Sequence, residues 1–343
     1  MNKNKKILAI ETSCDETAMA VLDLHETDVA YDFEILSNVV ASQIDLHKKW
    51  GGVYPELASR AHLEAIIPVL EEALEPIGGL SNFSREIDEI AVTKEPGLIG
   101  SLLMGIETAE LLGAFYKKSV VEVNHLEGHI YSAFCNQDRR QFSIKKSDIF
   151  PILALVVSGG HTSLILMKEH LKYQTIGQTI DDAAGEAFDK VARIMNLGYP
   201  GGPVIEKIAQ SGDEKAYELP QGLKNSRDLN FSFSGLKTSV LYKTKDIKTG
   251  QEKTHNKADM AASFQKAVAD ILIKKTLAAK KKYNPKTIIL GGGVSANGYL
   301  RNNFRDKIST SSSSQSGETQ ILIPPRNLST DNAVGIAIAG AIK

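Results

Sequence analysis

The segment NHLEGHIYSAF (124–134) places two histidines four residues apart. At about 100° per residue, His125 and His129 share one face of a small amphipathic helix, the geometry that offers two imidazole nitrogens to a single metal. Helical histidine pairs are also commonly satisfied by backbone and solvent, so the pair alone leaves both uses open. The zinc peptidase pattern H-E-x-x-H carries its general-base glutamate directly after the first histidine. Here Glu127 comes two residues after His125, about 200° round the helix, and peptidase chemistry lacks its base. A catalytic metal on two imidazoles needs a third ligand and at least one open position. Asp331, in NLSTDNAVGIAIAG (327–340), precedes a run of small apolar residues, where it either caps a helix or reaches a metal across a cleft.

Three further stretches carry candidate chemistry. ETSCDET (11–17) offers Glu11, Asp15 and Glu16 at a turn between apolar runs, where carboxylates hold a metal, orient a water or cap the turn. Asp15 is the expected catalytic carboxylate. VVSGGHT (156–162) and ILGGGVSAN (289–297) leave backbone amides uncovered at glycine, the second after an apolar strand with a helix expected from about Val294. A phosphate or acyl oxygen suits the first and a nucleotide the second, and a plain glycine turn is the alternative. DDAAGEAFDKVARIMNLGYPGGP (181–203) spaces Asp182, Glu186 and Asp189 along a helix, with Asp189 accepting from a ligand or pairing with Lys190 or Arg193.

These residues need a scaffold, and the chain echoes itself to provide one. ILAIETSCDETAMAVL (7–22) and ILALVVSGGHTSLILM (152–167) align at a constant offset of 145 residues, each an apolar strand, a small polar turn and a second strand. IAVTKEPGLIG, from Ile90, and IILGGGVSAN, from Ile288, form a second echo, a strand running through a glycine turn into a helix. Two similar α/β lobes with a cleft between them are expected, divided as 1–135 and 150–343, the last helix lying either on the second lobe or back on the first. SRAHLEAIIPVLEEALEPIG predicts a helix with Leu63, Ile66, Ile67, Leu70 and Leu74 on its apolar stripe. Lys274, Lys275, Lys280, Lys281 and Lys282 read as a solvated face or, alternatively, a phosphate track. STSSSSQSGETQ (309–320) reads as a polar loop without chemistry.

Composition narrows the classes. Lys and Arg total 40 against 41 Asp and Glu, so no global field draws in nucleic acid. Cys14 and Cys135 are the only cysteines, which excludes a disulfide framework or a four-thiolate zinc site and fits a reducing compartment. MNKNKKILAIETS passes at once into a strand, so no leader is expected, and no run approaches about 18 apolar residues, so neither is a membrane helix.

In order along the chain, IETSCDETA, GGVYPELASRAH, PGLIGSLL, NHLEGH, LVVSGGHTSL, DDAAGEAFDKVARIMNLGYPGGP, FSFSGLKT, GGGVSAN and STDNA resemble the TsaD family of tRNA threonylcarbamoyltransferases in its bacterial form. The resemblance implies a duplicated two-lobed actin-like (ASKHA) fold and transfer of threonylcarbamoyl from threonylcarbamoyl-adenylate to the exocyclic amine of the adenosine 3′ of the anticodon, in tRNAs reading ANN codons. It implies His125, His129 and Asp331 as ligands of one divalent metal per chain, Fe(II) ahead of Zn(II). Val156, Val157, Ser158, Gly159, Gly160, Asp189, Gly202 and Asn297 would bind the substrate. TsaB and TsaE are the implied protein partners, with TsaC supplying the adenylate, in the cytoplasm. One departure stands out: TKEPGL has Glu95 where the family usually has glycine, which adds strain if that position needs φ > 0 and a repulsive charge if it lies near the adenylate. Two other readings compete. An ASKHA small-molecule kinase would share both echoes without needing the histidine pair, and a non-catalytic scaffold of a tRNA-modification complex would have lost the metal residues.

Overall fold

Lys3–Glu11 forms the first strand (β1), and Glu16–Glu26 returns antiparallel along it as β2. The run continues with β3 (Ala30–Ser42), α1 (Ile44–Lys48), α2 (Pro55–Leu74), α3 (Phe83–Glu86), β4 (Glu89–Glu95), α4 (Ile99–Tyr116), β5 (Ser119–Asn124), α5 (His125–Tyr131) and β6 (Gln141–Lys145). The six strands form one mixed sheet in the order β5-β4-β1-β2-β3-β6. A second sheet is built from β7 (Ile152–Val157), β8 (Thr162–Glu169) and β9 (Lys172–Gln178). There follow α6 (Ala184–Ile194), α7 (Gly201–Ala209), α8 (Ser234–Thr244), α9 (Lys257–Tyr283), β10 (Thr287–Gly291), α10 (Gly298–Thr310), β11 (Gln320–Leu322) and α11 (Ala333–Ile342). Its order is β11-β10-β7-β8-β9.

This computed structural model describes residues 3–135, 140–246, 249, 251, 253–310 and 319–343, so residues 311–318 of the polar run fall outside it. The chain divides into two units: one runs to Ile149 and is completed by Glu169–Lys172 and Pro324–Lys343, the other comprises Phe150–Lys168 and Tyr173–Ile323. Residues 140–149, which lie between the two expected lobes, add β6 to the first unit, and α11 lies in that unit as well. Among the described residues no helix is long and apolar enough to cross a membrane.

The repeat is visible in the hydrogen-bond register. Ile7 faces Leu22 and Leu8 faces Val21 in the first hairpin; 145 residues on, Ile152 faces Met167 and Leu153 faces Leu166 in the second. Likewise Leu8 pairs with Ile90 of β4, and Leu153 with Ile288 of β10, both parallel. The fold is thus α/β and two-lobed, each lobe built on the same hairpin and parallel strand.

In the first unit Leu8, Ile10, Met19 and Val21 pack against Ile66, Leu70 and Leu74 of α2. On the other sheet face lies α11, against β1, β2 and β4. A sheet covered on both faces explains why residues 7–10 of β1 read as an unbroken apolar run and not as an alternation. The expected stripe of α2 needs correction: Leu63 and Ile67 are exposed, and Ala58, His62 and Ala73 take core positions. His62 tolerates that burial because Thr17 Oγ1 and Cys14 O satisfy its two ring nitrogens, at 2.8 and 3.0 Å.

Candidate functional site

Asn124 starts α5 by accepting from Leu126 N at 2.9 Å, while Glu127 accepts from Asn124 N at 3.2 Å, a capping box that consumes the glutamate and turns it from the histidines. The helix is not amphipathic as expected: His125, Glu127, Gly128, His129, Ile130 and Tyr131 are all buried. His125 and His129 stand edge to face, ring centroids 4.5 Å apart. The cap of α11 is Asn332, whose Oδ1 accepts from Val334 N and Gly335 N, which leaves Asp331 one residue outside the helix with a carboxylate not needed for capping. Its Oδ1 lies 3.7 Å from His125 Nε2 and 3.4 Å from His129 Nε2. Donors about 2.1 Å from a common ion at tetrahedral angles stand about 3.4 Å apart, so the set fits a metal. Among the described residues, these three are the group of His, Cys and acidic side chains able to hold one, their ligand atoms all within 4.8 Å of one another.

A buried residue that spacing does not single out orients this set. Glu11, 1% exposed at the end of β1, lies 3.0 Å from His125 Nδ1, accepts from Thr93 Oγ1 at 2.7 Å and from Ser13 N at 2.5 Å. The carboxylate draws the imidazole proton to Nδ1 and leaves the Nε2 lone pair, on the side of Asp331, free to bind a metal. Its legible signal is an acid directly after the apolar run at residues 7–10, but its partner is 114 residues away. Asp15 is buried in the same turn, its carbonyl accepting from Gln43 N at 3.0 Å.

The expected substrate residues lie in the second unit. Val156 and Val157 end β7, and Ser158, Gly159 and Gly160 form the turn to β8, where a Cβ on either glycine would meet nothing within 4 Å. Gly292, at φ +85°, approaches this strand so closely that a Cβ would lie 2.5 Å from Val157 O. The helix expected from Val294 is first a 3-10 turn, Gly293–Ala296, with α10 beginning at Gly298. Asn297 explains the break: its Oδ1 accepts from Leu300 N at 2.9 Å to open α10, and its Nδ2 donates to Gln265 Oε1 at 2.8 Å. Asp189 accepts from Gly201 N at 2.7 Å, beside Gly202 at the start of α7, while Lys190 pairs with Asp182 and Glu186.

A family model described as TsaD, tRNA N6-adenosine threonylcarbamoyltransferase, matches residues 34–338. The chain is 46% identical over 335 residues to the tRNA N6-adenosine threonylcarbamoyltransferase of Thermosipho africanus, covering 97% of this chain and 93% of that protein. It is 47% identical over 334 residues to the protein of the same name from Symbiobacterium thermophilum, covering 97% and 90%. The chain belongs to the TsaD family. Among solved structures, HypF from T. kodakarensis superposes with a TM-score of 0.59 at 13% identity, over 99% of this chain and 47% of that one, a likeness of fold.

The charges in this TsaD chain gather at the histidines. Burial raises the Glu11 carboxyl, but the His125 charge and hydrogen bonds from His125, Ser13 and Thr93 outweigh it and hold the group down at about 2. Burial lowers His125, and Asp331 with Glu11 overturn that and lift it to about 9. Asp331 is pushed up to about 6, by burial first, against the pull of His125. Burial, with Asp331 and Asp15 close by, raises Glu16 well above the carboxylate range. Acids crowded round one imidazolium make a place where a cation is strongly favoured.

Two sequence features of the TsaD chain change meaning. Glu95 is exposed and outside the left-handed region, paired with Asn124 across the sheet, so the strain foreseen for it is absent. The lysines of α9 are not one solvated face: Lys275 is buried, donating to Ser226 Oγ and Asp228 O, Lys274 donates to Asn225 Oδ1, and Lys280 to Ile308 O.

Proposed function

We propose that this chain transfers the threonylcarbamoyl group of threonylcarbamoyl-adenylate to the exocyclic amine of the adenosine 3′ of the anticodon, in tRNAs reading ANN codons. The observation that carries the proposal is the convergence of His125 Nε2, His129 Nε2 and Asp331 Oδ1 in a chain of this family. These three would hold one divalent ion; two imidazoles and a carboxylate suit Fe(II), with Zn(II) the other candidate. When bound, the ion supplies Lewis-acid stabilisation to negative charge developing on the acyl group.

The amine nitrogen attacks the carbamoyl carbon, the C–N bond forms, and the bond from that carbon to the phosphate oxygen breaks, releasing AMP. Asp15 accepts the proton the amine gives up. Glu11 keeps His125 in one tautomer throughout. Backbone amides at Val156–Gly160, with Asp189, Gly202 and Asn297, hold the adenylate, and their task is positioning and exclusion of water, since AMP leaves readily. A kinase reading does not use the histidine pair, and a scaffold reading does not use the assembled ligand set.

TsaB and TsaE are the proposed partners, with TsaC supplying the adenylate, in the cytoplasm. Exposed Leu63 and Ile67 on α2, and Ile99, Leu103, Leu111 and Phe115 on α4, support docking of a protein subunit. The test incubates the chain, TsaB, TsaE, threonylcarbamoyl-adenylate and an ANN-decoding tRNA, then digests the RNA for nucleoside mass spectrometry. Threonylcarbamoyladenosine 3′ of the anticodon is expected; unmodified adenosine there rejects the proposal.

A further inference from the structure

The single tryptophan of the chain stands at the surface. Trp50 is 61% exposed and Tyr54 46%, with ring centroids 5.7 Å apart and planes tilted by 34°. Neither is on a loose tether. Trp50 N donates to His47 O at 3.0 Å, and Tyr54 N donates to His47 Nδ1 at 3.3 Å. With Nδ1 accepting, the proton of this imidazole is on Nε2, which donates to Gln43 Oε1 at 3.2 Å, while Gln43 Nε2 donates to Ala58 O at 3.3 Å. His47 is fully buried. Gln43 in turn donates its backbone N–H to Asp15 O. A chain of hydrogen bonds therefore ties the aromatic pair to the turn carrying the proposed proton acceptor.

We propose that Trp50 and Tyr54 form a stacking platform for a nucleobase of the tRNA anticodon loop. Large flat rings held out of the core bury little of their own apolar surface, and stacking on a base recovers it whatever the base, because every base has a π face. Exposed Lys48 and Lys49 immediately precede Trp50, and Lys48 is partly offset by Asp45, so positive charge for the backbone phosphate is carried next to the platform in the chain. The stripe on α2 and α4 differs: it is aliphatic with one phenylalanine, a composition suited to a protein surface. With net charge −1, the chain gains little RNA affinity from its overall field, so short-range stacking next to the reacting turn has more to contribute.

The inference rests on the transfer reaction proposed above, and the experiment separates the two. Transfer by the wild-type complex is measured first; its absence rejects the reaction, whereas the platform is judged by binding. Trp50 alone reports the intrinsic tryptophan fluorescence of the chain, so the full chain is titrated with an anticodon stem-loop of an ANN-decoding tRNA. Saturable quenching is expected. In the assembled complex, Trp50→Ala should weaken binding of a dye-labelled stem-loop about tenfold, the scale of one lost base-on-ring stack, and Trp50→Phe should restore most of it. At 61% exposure the side chain contributes little to the core, and an unchanged melting temperature checks this. Absent quenching together with unchanged stem-loop affinity in Trp50→Ala overturns the platform. Unchanged RNA affinity with weakened TsaB or TsaE association also overturns it, and assigns the pair to a protein contact.

Discussion

The two helices that bring the proposed ligand set together meet at glycine, and Gly335→Ala tests whether that contact matters. A Cβ on Gly335 would lie 2.0 Å from Gly128 O and 2.4 Å from Ser132 Oγ, whereas real Cβ contacts essentially never fall under 3.0 Å. The Ser132 hydroxyl already donates to Gly128 O at 2.8 Å, so the obstacle is backbone held in place. α11 must therefore retreat from α5 by at least about 1 Å, while metal–ligand distances tolerate only about 0.2 Å. Asp331 precedes α11, and the histidines sit on α5, so the retreat opens the set directly. Helix propensity alone predicts that replacing a helical glycine by alanine stabilises by about 1 kcal/mol. Overpacking predicts a loss of about 1–3 kcal/mol, so the sign of the change decides. The assays are thermal unfolding of the metal-free protein and a calorimetric metal titration, with a lower melting temperature and at least about tenfold weaker binding expected. A variant with higher stability and wild-type metal affinity would refute the argument.

Other perturbations probe the surroundings. Glu11→Gln keeps the shape but removes the charge that orients His125, and a metal titration should read affinity lower by about 10–100-fold; unchanged affinity would make Glu11 structural only. His62 is held below its usual range, by burial first, with its bond to Cys14 O opposing. The unfolded chain takes up a proton near pH 6.5 that the folded chain resists, so this contribution is present above about 6.5 and lost as pH falls below it. Denaturant titrations across that range should show His62→Gln flattening the slope, and an unaltered slope would assign the pH dependence elsewhere. Gly292→Val places a branched side chain at φ +85° and 2.5 Å from Val157 O, so both the melting temperature and adenylate affinity should fall; a fully stable variant would contradict the close approach.

How far the sequence reaches depends on the range of the interactions. The hairpins were legible because apolar runs and a constant offset are local, and the shared register of Ile7 with Leu22 and Ile152 with Met167 follows from them. His125 and His129 were legible as a pair through helical spacing. Which of Asp331 and Asn332 caps α11 turns on a single residue of phase, beyond what pattern resolves. The burial of α5 and the role of Glu11 arise from partners far along the chain. On α2, Leu63 and Ile67 lie one step round the helix from His62 and Ile66, and hydrophobicity ranks the exposed pair above the buried histidine. Lys275 was missed for the same reason, since its stem enters the core while the ammonium finds Ser226 Oγ and Asp228 O.

His125, His129 and Asp331 are proposed to hold one divalent ion. Metal analysis joined to X-ray absorption spectroscopy, on wild-type protein and on the His125→Ala/His129→Ala double variant reconstituted under anaerobic conditions, addresses it directly. About one ion per chain is expected in the wild type, with imidazole scattering from two histidines at about 2.0–2.1 Å if the ion is zinc, and no retained ion in the double variant. A full complement of metal in the double variant, or a wild-type spectrum without imidazole scattering, would contradict the assignment.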